Sequence, residues 1–262
     1  MKEKLKIIPI ELLESYLSAV NNLALTHNFN NLKDAEISTD SFSFYASVAS
    51  VFSSKIEGEQ IELDSYIKHK KFGIEFLPDY TKKIDDLYSA YIFAKTNVFN
   101  KANISEVYKL LSKHLVATHQ SGKLRIHQMY VSTPDGKIEY VAATPFELEA
   151  EMEKLYFDIE LLLTQELSIL EVFFFAAMIH LVFVKIHPCN DGNGRCARLM
   201  EKWFLAQKLG NNAWFVPSER NYYDQHQTYY KNIRVLGLEY PELDYAKALP
   251  FLLMLPNSIE ND

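Results

Sequence analysis

Residues 187–198 read His-Pro-Cys-Asn-Asp-Gly-Asn-Gly-Arg-Cys-Ala-Arg. One loop and helix start here combine a titratable imidazole, a carboxylate, two glycines around an asparagine, and two arginines. A polyphosphate calls for such a set: backbone N–H donors, cations to neutralise it, and a carboxylate to hold its metal. Gly192 and Gly194 flank Asn193, so no Cβ on either side blocks an approaching anion. The helix predicted to follow aims its N-terminal N–H groups and positive dipole end at the same point.

Outward from this loop, helix signals dominate. Capping boxes are read at Asn103 with Glu106, at Thr144 with Glu147 (Pro145 at the first helical position), and at Ser168 with Glu171. Gly210 stands where a C-terminal glycine cap would end the helix after the loop. Helices are expected over 9–26, 40–56, 62–71, 80–99, 103–115, 145–163, 168–186, 194–209, 218–235 and 243–254. Residues 127–142 differ: Tyr130, Val131, Ile138, Tyr140 and Val141 are β-formers around the turn signal Pro134-Asp135-Gly136. A lone β-hairpin is expected, leaning on helices because two strands are marginal by themselves. Residues from Asn257 on read as a frayed tail.

The chain has 262 residues, 48% hydrophobic and 23% charged, enough for one globular domain or a core with a helical extension. Its net charge of −7 argues against a broad nucleic-acid surface. Cys189 and Cys196 have neither zinc-ribbon nor redox-pair spacing, and reduced thiols in a cytoplasm fit them best. Residues 1–16 carry charges throughout and lack a signal-peptide core; the densest apolar run, 172–184, is interrupted by His180 and short for a membrane span. A soluble protein is expected.

A second pattern lies upstream, in Ser53-Ser54-Lys55-Ile56-Glu57-Gly58. Tyr45, Val48, Phe52 and Ile56 recur at three- and four-residue steps and predict one apolar helix face. Ser53 and Glu57 share another face, and Gly58 ends the helix. That leaves Glu57 at a C-terminal end, where the dipole disfavours a carboxylate and a cationic partner would help.

The stretch 187–198 closely resembles the Fic family signature, His-x-Phe-x-Asp/Glu-Gly-Asn-Gly-Arg-x-x-Arg, at seven of its eight defined positions. Residues 53–58 are similar to the Ser/Thr-x-x-x-Glu-Gly/Asn inhibitory motif of Fic proteins whose regulatory helix precedes the catalytic core. With Gly122-Lys123-Leu124-Arg125 before the hairpin, the likeness covers about 35–240. The resemblance implies a mainly α Fic-type helical bundle with one β-hairpin flap and an N-terminal regulatory helix. It divides the chain into an N-terminal helical region (1–100), a catalytic core (101–240) and a C-terminal helix and tail (241–262).

Members of this family mostly transfer AMP from ATP, with Mg²⁺, to a hydroxyl of a target protein. By resemblance, His187 is the general base and Asp191 the Mg²⁺ ligand. Gly192, Asn193 and Gly194 form an anion-holding nest, Arg195 pairs with the phosphates, and Arg198 reaches the γ-phosphate. Tyr229 and Tyr230 resemble a tyrosine pair near the adenine, although Gln225 and His226 stand where an asparagine is often found. Glu57 would pair with Arg198 and occupy the γ-phosphate place, with Ser53 orienting Glu57 and Gly58 ending the helix. The flap 127–142 would hold a target segment by main-chain pairing, and self-modification on a Tyr or Ser of the chain is a further expectation.

Cys189 departs from the family, which usually has Phe there. An uncompensated core truncation of that kind costs about 3–5 kcal/mol, and the run Phe173–Phe175 is a candidate to fill the space. A thiolate nucleophile at Cys189 is the rival reading. His180 reads as a satisfied core histidine, against a weaker zinc site with His187 and Cys189. The alternative functions are removal of AMP or transfer of another nucleotide or phosphate moiety, and, in a different class, a non-catalytic nucleotide-binding module. Neither a winged-helix DNA-binding domain nor a membrane or nucleic-acid partner is expected.

Overall fold

The computed structural model describes residues 5–32, 41–76, 80–132 and 138–259. The hairpin turn at Pro134-Asp135-Gly136 and the last three residues lie outside them. The helices are α1 Leu13–Ala19, α2 Asn22–Asn30, α3 Ser41–Ile56, α4 Leu63–Phe72, α5 Lys82–Thr96, α6 Lys101–Leu111, α7 Leu148–Thr164, α8 Ile169–Ile186, α9 Asn193–Leu209, α10 Ser218–Asp224, α11 His226–Arg234, α12 Leu249–Leu252 and α13 Met254–Asn257. Two strands, β1 Tyr130–Ser132 and β2 Ile138–Val141, pair antiparallel. The fold is mainly α with one small hairpin, as the sequence led us to expect.

Helix α8 is the axis of the bundle. A complete capping box starts it: the Ser168 hydroxyl accepts from the Glu171 N–H and the Glu171 carboxylate accepts from the Ser168 N–H. All 18 residues make a stretch that is, by length and composition, apolar enough to cross a membrane, longer than the 172–184 run suggested. Here it is the core helix, 83% of it buried among α1, α2, α7, α9, α12 and α13. One continuous core runs from Ile8 to Ile259 and joins residues of all three expected regions.

Several boundaries move for local reasons. The segment 9–26 is two helices, because Val20 is extended and the Asn21 side chain accepts from the Ala24 N–H to start the second. The cap of α6 is Asn100, whose side chain accepts from the Asn103 N–H, and not Asn103. Thr144 and Glu147 make their hydrogen bond one turn before α7 begins. The segment 218–235 breaks at Gln225, and 243–254 is short turns followed by α12 and α13, each carrying a proline. The tail is not frayed through residue 259: Ser258 and Ile259 are buried.

Two packing expectations are corrected. Helix α3 buries mainly small residues (Ala46, Ala49, Ser50, Ser53) beside Phe42, Val51 and Ile56; of the expected apolar face only Ile56 is buried, and Tyr45, Val48 and Phe52 are half-buried. Small side chains let α3 approach α5, α9 and α10 closely, while Tyr45 and Phe52 cover Phe215 and Tyr223. Phe173–Phe175 lie near the start of α8, with Phe173 against Phe29 and Phe174 against Tyr16, far along the helix from Cys189. The hairpin is also less solitary than expected. The Val141 N–H donates to the Leu238 carbonyl at 2.8 Å, so the outer edge of β2 is covered and β1 is the edge strand.

Candidate active site

The loop 187–192 joins α8 to α9, and its backbone is held in an uncommon shape. His187 caps α8 with φ 53 and ψ 57, the only non-glycine residue at positive φ among those described. Such a conformation survives only where surroundings over-determine it. Arg125 supplies much of that constraint: buried at 2% exposure, it donates to the His187 carbonyl (2.7 Å), the His127 carbonyl (2.7 Å) and the Ala143 carbonyl (2.5 Å). Its own N–H donates to the Pro188 carbonyl at 2.9 Å, so one residue ties the loop to both ends of the hairpin. The Asn193 side chain folds back on the loop, accepting from the Cys189 N–H and donating to the Cys189 carbonyl, each at 2.9 Å.

The His187 ring has one nitrogen engaged and the other open. Its Nδ1–H donates to the Val184 carbonyl at 3.2 Å, an acceptor only, which leaves Nε2 with a free lone pair. Burial pushes its pKa down to about 4, so the imidazole is neutral at ordinary pH.

Helix α9 then starts at Asn193 behind Gly192, which has φ 79 and could not carry a Cβ without meeting Leu111 Cδ1 at 2.9 Å. At Gly194 a Cβ would collide with the Glu57 carboxylate and stand 3.0 Å from Arg198 Nη1. The Glu57 carboxylate of this same chain thus sits against Gly194, one residue of the expected anion nest.

That carboxylate arrives on a tight helix end. The Gly58 N–H donates to the Lys55 carbonyl and the Glu59 N–H to the Ser54 carbonyl, with Gly58 at φ 91, which is a Schellman turn closing α3. Glu57 Oε1 lies 2.6 Å from Arg198 Nη2. Arg198 is fully buried and also donates to Ser53 Oγ (2.9 Å), the Ser53 carbonyl (3.0 Å) and the Tyr229 hydroxyl (3.1 Å). Ser53 therefore holds Arg198, whereas the expectation was that it orients Glu57; its carbonyl lies in the last turn of α3, whose carbonyls lack helical partners. Burial raises the Glu57 pKa, but Arg198 and Arg195 outweigh it and hold the carboxyl below its ordinary value.

His187, Glu57, Gly194, Arg198, Tyr229 and Tyr230 line one cavity of about 320 Å³, together with Tyr130 and Val131 of β1. Tyr229 is buried beneath Arg198, its hydroxyl shared with His180 at 3.0 Å, and Tyr230 reaches the Ile56 carbonyl at 3.4 Å. Asp191 points elsewhere: exposed, it accepts from the Gly192 N–H at 2.6 Å and borders a second space of about 610 Å³ with Lys82, Lys83 and His114. Arg195 is paired with Glu59 at 3.3 Å.

Residues 99–205 match the family described as Fic/DOC. Over 110 residues the chain is 34% identical to the protein adenylyltransferase Fic of Nematostella vectensis, covering 42% of this chain and 22% of that protein. The chain thus spans about a fifth of that relative's length. In fold it is similar to a Fic family protein of Desulfovibrio desulfuricans G20 (TM-score 0.75, 17% identity, 99% of this chain and 75% of that one). It is also similar to a Fic domain containing signaling protein of Bacteroides thetaiotaomicron (TM-score 0.66, 18% identity, 92% and 95%). The Fic match ends before Tyr229 and begins after Glu57.

Within this Fic domain, the remaining sequence alternatives meet the geometry. Both ring nitrogens of His180 are engaged, with Glu201 at 2.7 Å and Tyr229 at 3.0 Å, so neither is aimed at His187 or Cys189. Cys189 is 3% exposed, and burial pushes its thiol well above the ordinary range, against a nucleophilic role. A cavity of about 180 Å³ adjoins it, lined by Tyr108, Met152, Tyr156, Phe183 and Cys196. The space a larger side chain would use is partly vacant.

Sequence reasoning missed Glu59, Lys83 and Lys185, and gave Arg125 no role. Lys185 is buried with its ammonium 4.0 Å over the Tyr140 ring in the His187 cavity, and burial lowers its pKa to about 8. A lysine two residues before the histidine of an apolar helix was the available signal.

Proposed function

We propose that this Fic protein transfers AMP from ATP to a hydroxyl side chain of a protein, and that Glu57 holds it in a resting state. The observation that carries this reading is the Glu57–Arg198 pair seated over Gly194, at the N-terminus of α9 and in one cavity with His187. A carboxylate there takes the cation, and the place beside the helix N-terminus, that a terminal phosphate would use.

In the active form the hydroxyl of the target gives its proton to His187 Nε2 as its oxygen attacks the α-phosphorus. The new O–P bond forms as the bond to the bridging oxygen breaks, and pyrophosphate leaves. Base catalysis of this kind contributes about 10²- to 10⁴-fold. Arg198 and Arg195 fix the phosphate chain so that the α-phosphorus faces the base. Asp191, a single exposed carboxylate with one oxygen on the Gly192 N–H, suits an Mg²⁺ ion that shares its ligands with phosphate oxygens. Such an ion, when bound, offsets charge on the phosphates. The β1 edge beside the cavity is the place for a target segment to pair through its main chain.

ATP labelled at the α-phosphate, and separately at the γ-phosphate, tests this on wild type, Glu57→Gly and Glu57→Gly/His187→Ala. Label from the α-position alone, strong in Glu57→Gly and absent when His187 is also replaced, is expected. Label from the γ-position alone makes the chain a kinase. No label with retained ATP binding makes it a binding module, and release of AMP from a modified protein makes removal its activity.

A further inference from the structure

We propose that Arg195 and Lys83 form a second receiving pair for the nucleotide's polyphosphate, and that Glu59 stands in for that phosphate at rest. This rests on the nucleotide-binding part of the function proposed above. A single oxygen, Glu59 Oε1, bridges Arg195 Nη2 at 3.3 Å and Lys83 Nζ at 2.8 Å. An anionic oxygen shared by two cations is the arrangement a phosphate oxygen takes between a guanidinium and an ammonium.

Arg195 is incompletely satisfied. Its side chain is 3% exposed, and its buried Nε has no hydrogen-bond partner. An idle buried donor costs free energy that an acceptor from a ligand would recover. Lys83, at the start of α5, faces the same space as Asp191, so a cation and the metal-suited carboxylate border one cavity of about 610 Å³. Glu59 and Glu57 sit on the two sides of Gly58 in one Schellman turn. Opening that turn withdraws both carboxylates together, freeing Arg198 and Arg195 in one movement.

The test is the ATP affinity of the full chain by calorimetry with Mg²⁺, in a Glu57→Gly background, for Glu59→Gln and Lys83→Met. Both substitutions break the same bridge, so a merely structural tie predicts shifts of one sign. The proposal predicts opposite signs: Glu59→Gln tightens ATP binding about three- to tenfold, and Lys83→Met weakens it by a similar factor. Glu59→Ala, checked for folding by its unfolding temperature, must act as Glu59→Gln does. Shifts of the same sign, or no shift in either variant, overturn the proposal. If the opposite shifts appear while no AMP is transferred, the proposed function fails and this inference stands. If AMP is transferred without them, this inference alone fails.

Discussion

The Glu57 carboxylate lies 2.6 Å from the Arg198 guanidinium and occupies the space above Gly194 that any Cβ would take. The pair joins residues 141 apart in sequence, one closing α3 and the other in the first turns of α9. Because Arg198 is fully buried, its loss of a carboxylate partner must be met by another anion or by water.

Gly194→Ala probes that contact directly. The new methyl must displace the Glu57 side chain, so the substitution is expected to destabilise wild type by about 1–3 kcal/mol, the scale of overpacking. In a Glu57→Gly background the collision is gone and the cost is expected to shrink. Urea unfolding of the four proteins in a double-mutant cycle measures the difference. Equal costs in both backgrounds would count against the seating of Glu57 on residue 194.

Released protein should show little dependence on pH through His187. The base must be neutral to accept a proton, and burial places its pKa at about 4. Protonation therefore removes the base only as pH falls toward 4. A kcat/KM profile of Glu57→Gly is expected to lack an acid limb at about 6.5, the ordinary histidine value. An acid limb there that His187→Ala abolishes along with the activity would show the ring to be solvated.

Arg125→Met should disable the loop without touching the nucleotide. The substitution leaves the carbonyls of His187, His127 and Ala143 without their buried donor. A loss of about 3–5 kcal/mol is expected, read as a fall in unfolding temperature, with AMP transfer abolished in the Glu57→Gly background. Arg125→Lys should recover only part of it, because one ammonium cannot reproduce the planar fork.

Cys189→Phe should be tolerated. The adjoining cavity of about 180 Å³ can receive a ring, and burying it is worth about 1–2 kcal/mol. A higher unfolding temperature is expected, with AMP transfer retained in the Glu57→Gly background. In wild type, burial raises both cysteine thiols, so a thiol reagent at neutral pH should label neither until the protein unfolds. Rapid labelling of the native protein would contradict the buried placement.

Much of the site was legible because its residues lie close together in sequence. The glycine at 192, the start of α9 and the Ser168–Glu171 cap follow from interactions across one to four residues, and all are present. The Glu57–Arg198 pair was reached through two motifs, although Ser53 turned out to serve the arginine. Glu59 was not reached, because it becomes a partner of Arg195 only once Gly58 reverses the chain and α3 packs on α9. The buried face of α3 was misread for a related reason. Its alanines and serines give a weak hydrophobic signal, yet their small size is what permits close helix approach.

The N-terminal segment makes the same point from the core. Nothing local marks Asp158 as special, yet it is fully buried and accepts the N–H groups of Lys6, Ile7 and Ile8 at 2.7, 2.8 and 2.8 Å. The sequence by itself determined most of the helices, the two hairpin strands and the glycine-bounded start of α9, since each depends on backbone conformations and hydrogen bonds set by near neighbours. Only the tertiary structure decided that a second carboxylate of the α3 turn, Glu59, occupies Arg195 and that burial lowers the His187 pKa. Those outcomes depend on removal of charge from water and on contacts across more than 130 residues, neither of which is written at any one position.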